Sequence, residues 1–204
     1  MPKKTRDSPA APPSRDRELV MSALRDAAER LLIMEGHARI STRRVAQEAQ
    51  VNHGLVHYYF GSMEELLMQV LERFSAALIE RQREMYASDV PFVEKWREAW
   101  RYHEDDLAAG YPKVWFELQA MAWNEPRMRE RLFAVNEEWR AVLSEALIRA
   151  RGELAVDLPP TRALVALVMM IAQGAQLERL LGIDEGHAEL LGWIDSWLAR
   201  GETG

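Results

Sequence analysis

Between Ser41 and Phe60, two stretches with helical periodicity, each of about eight residues, are separated only by Gln50 and Val51. Helices this short cannot bury a face by themselves, so both must pack at a steep angle on a longer partner. That partner stands just upstream: Leu19, Val20, Ala23, Leu24, Ala27, Leu31 and Met34 recur at three- and four-residue steps, and Gly36 can end the helix. Ser41 reads as the N-cap of the second helix, with Val45, Ala46 and Ala49 facing inward. Asn52 reads as the N-cap of the third, which reaches Tyr59 or Phe60 before Gly61 stops it. The product is a helix-turn-helix whose second helix is narrow enough for a DNA major groove.

The helical period continues beyond it. Ser62 with Glu65 forms a capping box for a long fourth helix striped by Leu66, Leu67, Val70, Leu71, Phe74, Ala77 and Leu78. After a break near Ser88 to Pro91, helices are expected at 91–107, 111–123, 126–151, 161–181 and 186–199. The breaks between them carry Gly110 with Pro112, Asn124 with Pro126, the Pro159-Pro160 pair, and Gly182 with Gly186. No strand alternation and no internal repeat occur, so the fold class is all-α with about nine helices. The expected division is a disordered arm at 1–16, a helix-turn-helix domain at 17–62, and an effector-binding and dimerisation domain at 63–204. The arm holds four of the nine prolines and no apolar segment of the kind a secretory signal needs.

A net charge of −6 argues at first against nucleic acid, yet its distribution does not. Residues 1–60 carry ten Lys/Arg against seven Asp/Glu, and the remainder sixteen against twenty-five, leaving a basic head on an acidic body. The absence of cysteine excludes disulfides and thiolate metal sites and suits a reducing compartment. The longest uninterrupted apolar run, Ala163 to Ala172, has ten residues, short of the roughly 20 of a membrane helix. A soluble protein of the bacterial cytoplasm, with no membrane partner, is the expectation.

The segment from Ser41 to Leu67 is similar to the DNA-binding domain of the tetracycline-repressor (TetR) family. The resemblance is carried by Thr42, Arg44, Val45, Ala46, Ala49, Val51, Gly54, Tyr59, Phe60, Ser62, Glu64, Glu65 and Leu66 in one ungapped stretch. Three positions depart from the family pattern. Gln50 replaces a glycine and is expected to take a left-handed conformation at a cost of about 1 kcal/mol. His57 replaces a tyrosine that commonly meets phosphate, and Met63 replaces a lysine that commonly reaches the backbone.

The resemblance and the physics together assign roles. Thr42, Arg43 and Arg44, in the first turn of the second helix, are expected to hold phosphate. Asn52 and His53 open the recognition helix, and His53, Gly54 and Leu55 are expected to face base edges, with Leu55 able to touch a thymine methyl. His57 and Tyr58 could donate to phosphates, and Lys3, Lys4 and Arg6 could add contacts from the arm. Tyr59 and Phe60 read as core. His53 and His57 have the i, i+4 spacing of metal ligands but no third ligand nearby.

All seven Trp lie beyond residue 95, in the region that forms a ligand-binding domain in the family. Candidate pocket residues are Trp96, Trp100, His103 and Trp115, with Gln119, Met121, Trp123 and Trp139 further on and Met169, Gln173 and Gln176 from a later helix. Broad apolar walls with a few polar groups suit a small, largely apolar effector. The resemblance also implies that the last two helices pair with a second copy of the chain. Leu164, Leu167, Val168 and Ile171 on one, and Leu190, Ile194 and Trp197 on the other, are the candidate dimer contacts. The whole implies a dimeric regulator, a repressor by the family's commoner mode, with double-stranded operator DNA, an effector and a second copy as partners and no cofactor. An enzyme built on His103, Asp105, Asp106 and Glu117 is the alternative, but no nucleophile elbow, phosphate loop or H-E-x-x-H accompanies them. A helical adaptor with an incidentally basic head is a third reading, and substituting Arg44 and Tyr58 would separate it from the first.

Overall fold

Helical periodicity becomes helix throughout the computed structural model, which describes residues 14–155 and 158–202. Among them are nine α-helices and no strand: α1 (Ser14–Glu35), α2 (Thr42–Glu48), α3 (Gly54–Phe60), α4 (Met63–Ala87), α5 (Phe92–Ala109), α6 (Tyr111–Ala122), α7 (Pro126–Glu153), α8 (Thr161–Leu180) and α9 (His187–Glu202). A single 3-10 turn, His37–Arg39, links α1 to α2. The all-α reading holds, and every expected boundary from 91 onward falls within three residues of the observed one. Helix α1 begins at Ser14, inside the segment expected to be a disordered arm; the rest of that arm, with Lys3, Lys4 and Arg6, lies outside the described residues.

The caps behave as the local sequence dictates. Ser41 and Ser62 each accept from the backbone N–H three residues on, at 3.2 and 3.1 Å. The return half of the box at Ser62 is different, because Glu65 is drawn away by Gln69 and Arg131. Asn52 does not occupy the N-cap of α3; His53 does. Asn52 Oδ1 nevertheless accepts the Gly54 N–H at 2.9 Å, capping the helix from one residue further out. Gln50 has φ 56, and no other non-glycine residue among those described has a positive φ. The left-handed turn between α2 and α3 is therefore made without glycine.

Helix α1 packs on α2, α4 and α6, so the two short helices rest on a scaffold fixed to the body. Leu24, Leu31, Leu32, Val45, Val56, Leu66 and Leu67 are almost fully buried in one apolar cluster that continues into the body as far as Leu198. Arg73 of α4 pairs with Asp26 and Glu29 of α1 at 2.6 Å each, and Arg131 of α7 reaches Glu65 and Glu72 of α4. Helix α4 is thus clamped on both sides.

Helix α8 packs on α7, α6 and α5, and α9 on α5. Although its uninterrupted apolar run is short, α8 as a whole is long and apolar enough to cross a membrane by length and composition. Much of that apolar surface faces outward: Leu167, Met170, Leu177 and Leu180 are exposed, as are Leu190 and Trp193 of α9.

Candidate functional site

Helix α3 has only seven residues, held by two of them. Val56 and Phe60 are buried, while His53, Gly54, His57 and Tyr58 are exposed. Tyr58, at 63% exposure, stands out from the surface, and Tyr59 meets its ring edge-on while packing against the core. Leu55, expected at the base edges, is half-buried and packs against the core, so its reach is smaller than its position implies. His57 Nδ1 lies 3.2 Å from the Gly61 carbonyl, which holds the ring over the end of its own helix.

On α2, Thr42 is half-buried and Arg43 exposed at the helix N-terminus, where free N–H groups favour anions. Arg44 is used differently from its sequence assignment. Its guanidinium donates to Glu35 of α1 at 2.6 Å and to Glu48 at 3.3 Å, and Glu35 first of all raises its pKa. It ties α2 to α1. No group of three or more His, Cys, Asp or Glu gathers as a metal site among the described residues.

The body holds two adjoining, partly open cavities of about 60 Å³ each. One is lined by Tyr111, Trp115, Asn136 and Gln173, the other by Gln82, Tyr86, Trp96 and Trp100; His103, Trp139, Met169 and Ala172 border both. Of the sequence candidates, Trp96, Trp100, His103, Trp115, Trp139 and Gln173 therefore come together, as do Met169 and Gln176. Trp123 does not: it follows the last turn of α6 and is 68% exposed. Gln119 and Met121 line neither cavity. Sequence reasoning missed Gln82, Asp106, Tyr111 and Asn136, polar residues on amphipathic helices that look like surface until the packing is known. The i, i+4 spacing of Tyr111 with Trp115 on α6 was the available signal for Tyr111.

Burial sets the chemistry there. It lowers the pKa of His103 to about 4, with the Arg81 charge adding to the effect, so the imidazole is neutral at physiological pH. Burial raises the pKa of Asp106, which Arg81 opposes by pairing with it at 2.6 Å. The Tyr111 hydroxyl, its pKa pushed up to about 12 by burial, meets Ser75 at 3.1 Å. Gln82 Oε1, Trp115 Nε1 and Gln119 Oε1 are buried with no partner, each at a cost of about 1–3 kcal/mol if left so.

The model for "Bacterial regulatory proteins, tetR family" matches residues 24–70. An uncharacterised HTH-type transcriptional regulator of Haemophilus influenzae is 28% identical over 46% of this chain and 44% of its own length, so less than half of that relative is spanned. The HTH-type transcriptional regulator BetI of Burkholderia thailandensis is 31% identical over 72% of this chain and 73% of its own. Among solved structures, a TetR-family regulator from Rhodococcus superposes with a TM-score of 0.71 at 22% identity, covering 89% of this chain and 99% of that one. A regulator from Saccharomonospora viridis in complex with choline gives 0.71 at 15% identity, over 90% and 95% of the two chains. The regulator FadR of Bacillus subtilis in complex with stearoyl-CoA gives 0.71 at 16%, over 88% and 98%. These likenesses are of fold.

Proposed function

Because the chain belongs to the tetR family of bacterial regulatory proteins, we propose that it is a homodimeric transcriptional regulator that binds operator DNA through α2 and α3. The observation that carries this reading is the seven-residue α3, anchored by Val56 and Phe60 and presenting His53, Gly54, His57 and Tyr58 to solvent. His53 and Gly54 would meet base edges; Thr42, Arg43, His57 and Tyr58 would meet phosphates. Residues 17–62 form the DNA-gripping head and 63–204 the effector-binding and dimerising body.

Dimerisation is supported by the exposed apolar strip on α8 and α9, formed by Leu167, Met170, Leu177, Leu190 and Trp193. Val168, Ile171, Ile194 and Trp197 lie beside it, half-buried, whereas Leu164 is turned into the chain's own core. A two-fold pair would set two recognition helices about 34 Å apart on a near-palindromic site. The regulator acts in the bacterial cytoplasm as a repressor, released when a small molecule occupies the body. Two neighbours of the same fold, solved with choline and with stearoyl-CoA, support a ligand-responsive body.

The test is a nuclease footprint on the DNA upstream of the gene, with a salt titration of the affinity. Protection symmetric about a dyad, with affinity falling steeply in salt, is expected. Equal affinity for random duplex at physiological salt refutes the assignment.

A further inference from the structure

The two cavities of the body differ in what their walls still have to offer. Trp115 lines one cavity, and its Nε1–H has no partner among the described residues although the residue is 94% removed from solvent. In the adjoining cavity Gln82, 3% exposed, holds an unpartnered Oε1. Each cavity is thus lined by a residue with an unmet hydrogen-bonding group, a donor on Trp115 and an acceptor on Gln82.

Charge is balanced across both. Asp106 is the one carboxylate on either wall, and Arg81 neutralises it at 2.6 Å. His103, between the two cavities, stays uncharged to about pH 4. A cation or an anion entering here would lose its hydration with no opposite charge left over to replace it. A cavity of about 150 Å³ accepts benzene; these adjoining spaces of about 60 Å³ each share the walls of His103, Trp139, Met169 and Ala172, so a single ring is the upper limit and would enter by displacing the unbranched Met169 side chain.

Resting on the effector reading above, we propose that the effector is an uncharged molecule of single-ring size, its hydrogen-bond acceptor taken by Trp115 Nε1–H and its donor, at the opposite end, by Gln82 Oε1. An aromatic ketone or amide with a distal hydroxyl has this chemistry. A quaternary ammonium compound and a fatty acyl thioester do not.

The experiment is calorimetric titration of the full chain at pH 6.5 with 4-hydroxyacetophenone, p-xylene, choline and benzoate, alongside release of a labelled duplex. The hydroxyketone should bind at least tenfold tighter than the other three. Trp115→Phe and Gln82→Leu, in separate cavities and each checked for retained helicity, should weaken its binding about 2- to 12-fold. Tighter binding of choline or benzoate, equal binding of p-xylene, no binding of the hydroxyketone, or unchanged affinity in both variants overturns the proposal. If the hydroxyketone binds as expected but leaves the duplex bound, the ligand class stands and the effector reading fails.

Discussion

Lys113 Nζ donates to the Ile33 carbonyl at 2.7 Å, fastening the first turn of α6 to the last turn of α1. One turn further along α6, Glu117 accepts the His37 N–H. Gly110 makes this approach possible, because a Cβ there would lie 2.7 Å from Ile33 Cγ2 and the residue has φ +87. The same helix turns Tyr111 and Trp115 toward the cavity. Lys113→Met keeps the aliphatic stem but loses the bond, which should cost about 1–2 kcal/mol and lower Tm by roughly 2–8 °C. Thermal unfolding checks this. The variant should also release duplex less completely at saturating effector, since α6 would move without pulling α1.

Gln50 carries strain that glycine would not. Its left-handed backbone costs about 1–2 kcal/mol, against which glycine's added chain entropy weighs about 0.5–1. Gln50→Gly should therefore raise stability by roughly 0.5–1 kcal/mol, measured by urea unfolding. A fall in stability would mean that the Gln50 side chain does work not seen in its contacts.

Arg43 and Arg44, adjacent in sequence, should separate in experiment. Arg43 is exposed at the start of α2 and Arg44 is engaged by Glu35 and Glu48. Arg43→Ala should reduce the salt slope of duplex binding by about 1 with little change in Tm. Arg44→Ala should lower Tm and leave the slope nearly intact.

His103 should make the chain acid-sensitive. Its folded pKa of about 4 lies below the ordinary value of about 6.5, so the unfolded state binds the proton first. Stability is full above pH 6.5 and declines as pH falls toward 4, by about 3 kcal/mol for this group. Replacing His103 by Asn should flatten the stability profile between those two values, whatever it does to stability at pH 7.

Met170, 65% exposed on α8, stands in the strip assigned to the second copy. Met170→Asp should convert the dimer to the mass of a single chain in light scattering. Duplex affinity should fall with it, because each half-site would be bound alone.

What could be foreseen from the sequence was what the chain decides within about four residues. The Ser41 and Ser62 caps and the stop at Gly61 are of that kind, whereas the positive φ of Gln50 was foreseen only through the family resemblance. What could not be foreseen depends on partners far along the chain. Arg44 looks like a phosphate ligand until Glu35 is brought beside it. Glu117 looks like a free acid until the turn at His37, eighty residues earlier, arrives to meet it. Trp123 was misjudged because it sits at a helix end, where a small change of rotation decides exposure, whereas Trp115, within α6, is buried at the cavity as expected.

The seven indoles, all beyond residue 95, leave the head without tryptophan emission. Four of them, Trp96, Trp100, Trp115 and Trp139, border the cavities. Intrinsic emission should hence track filling of the body while being nearly indifferent to contact at α3. A dye on the nucleic acid would follow the other event, and the two signals could be recorded in one cuvette to time which comes first.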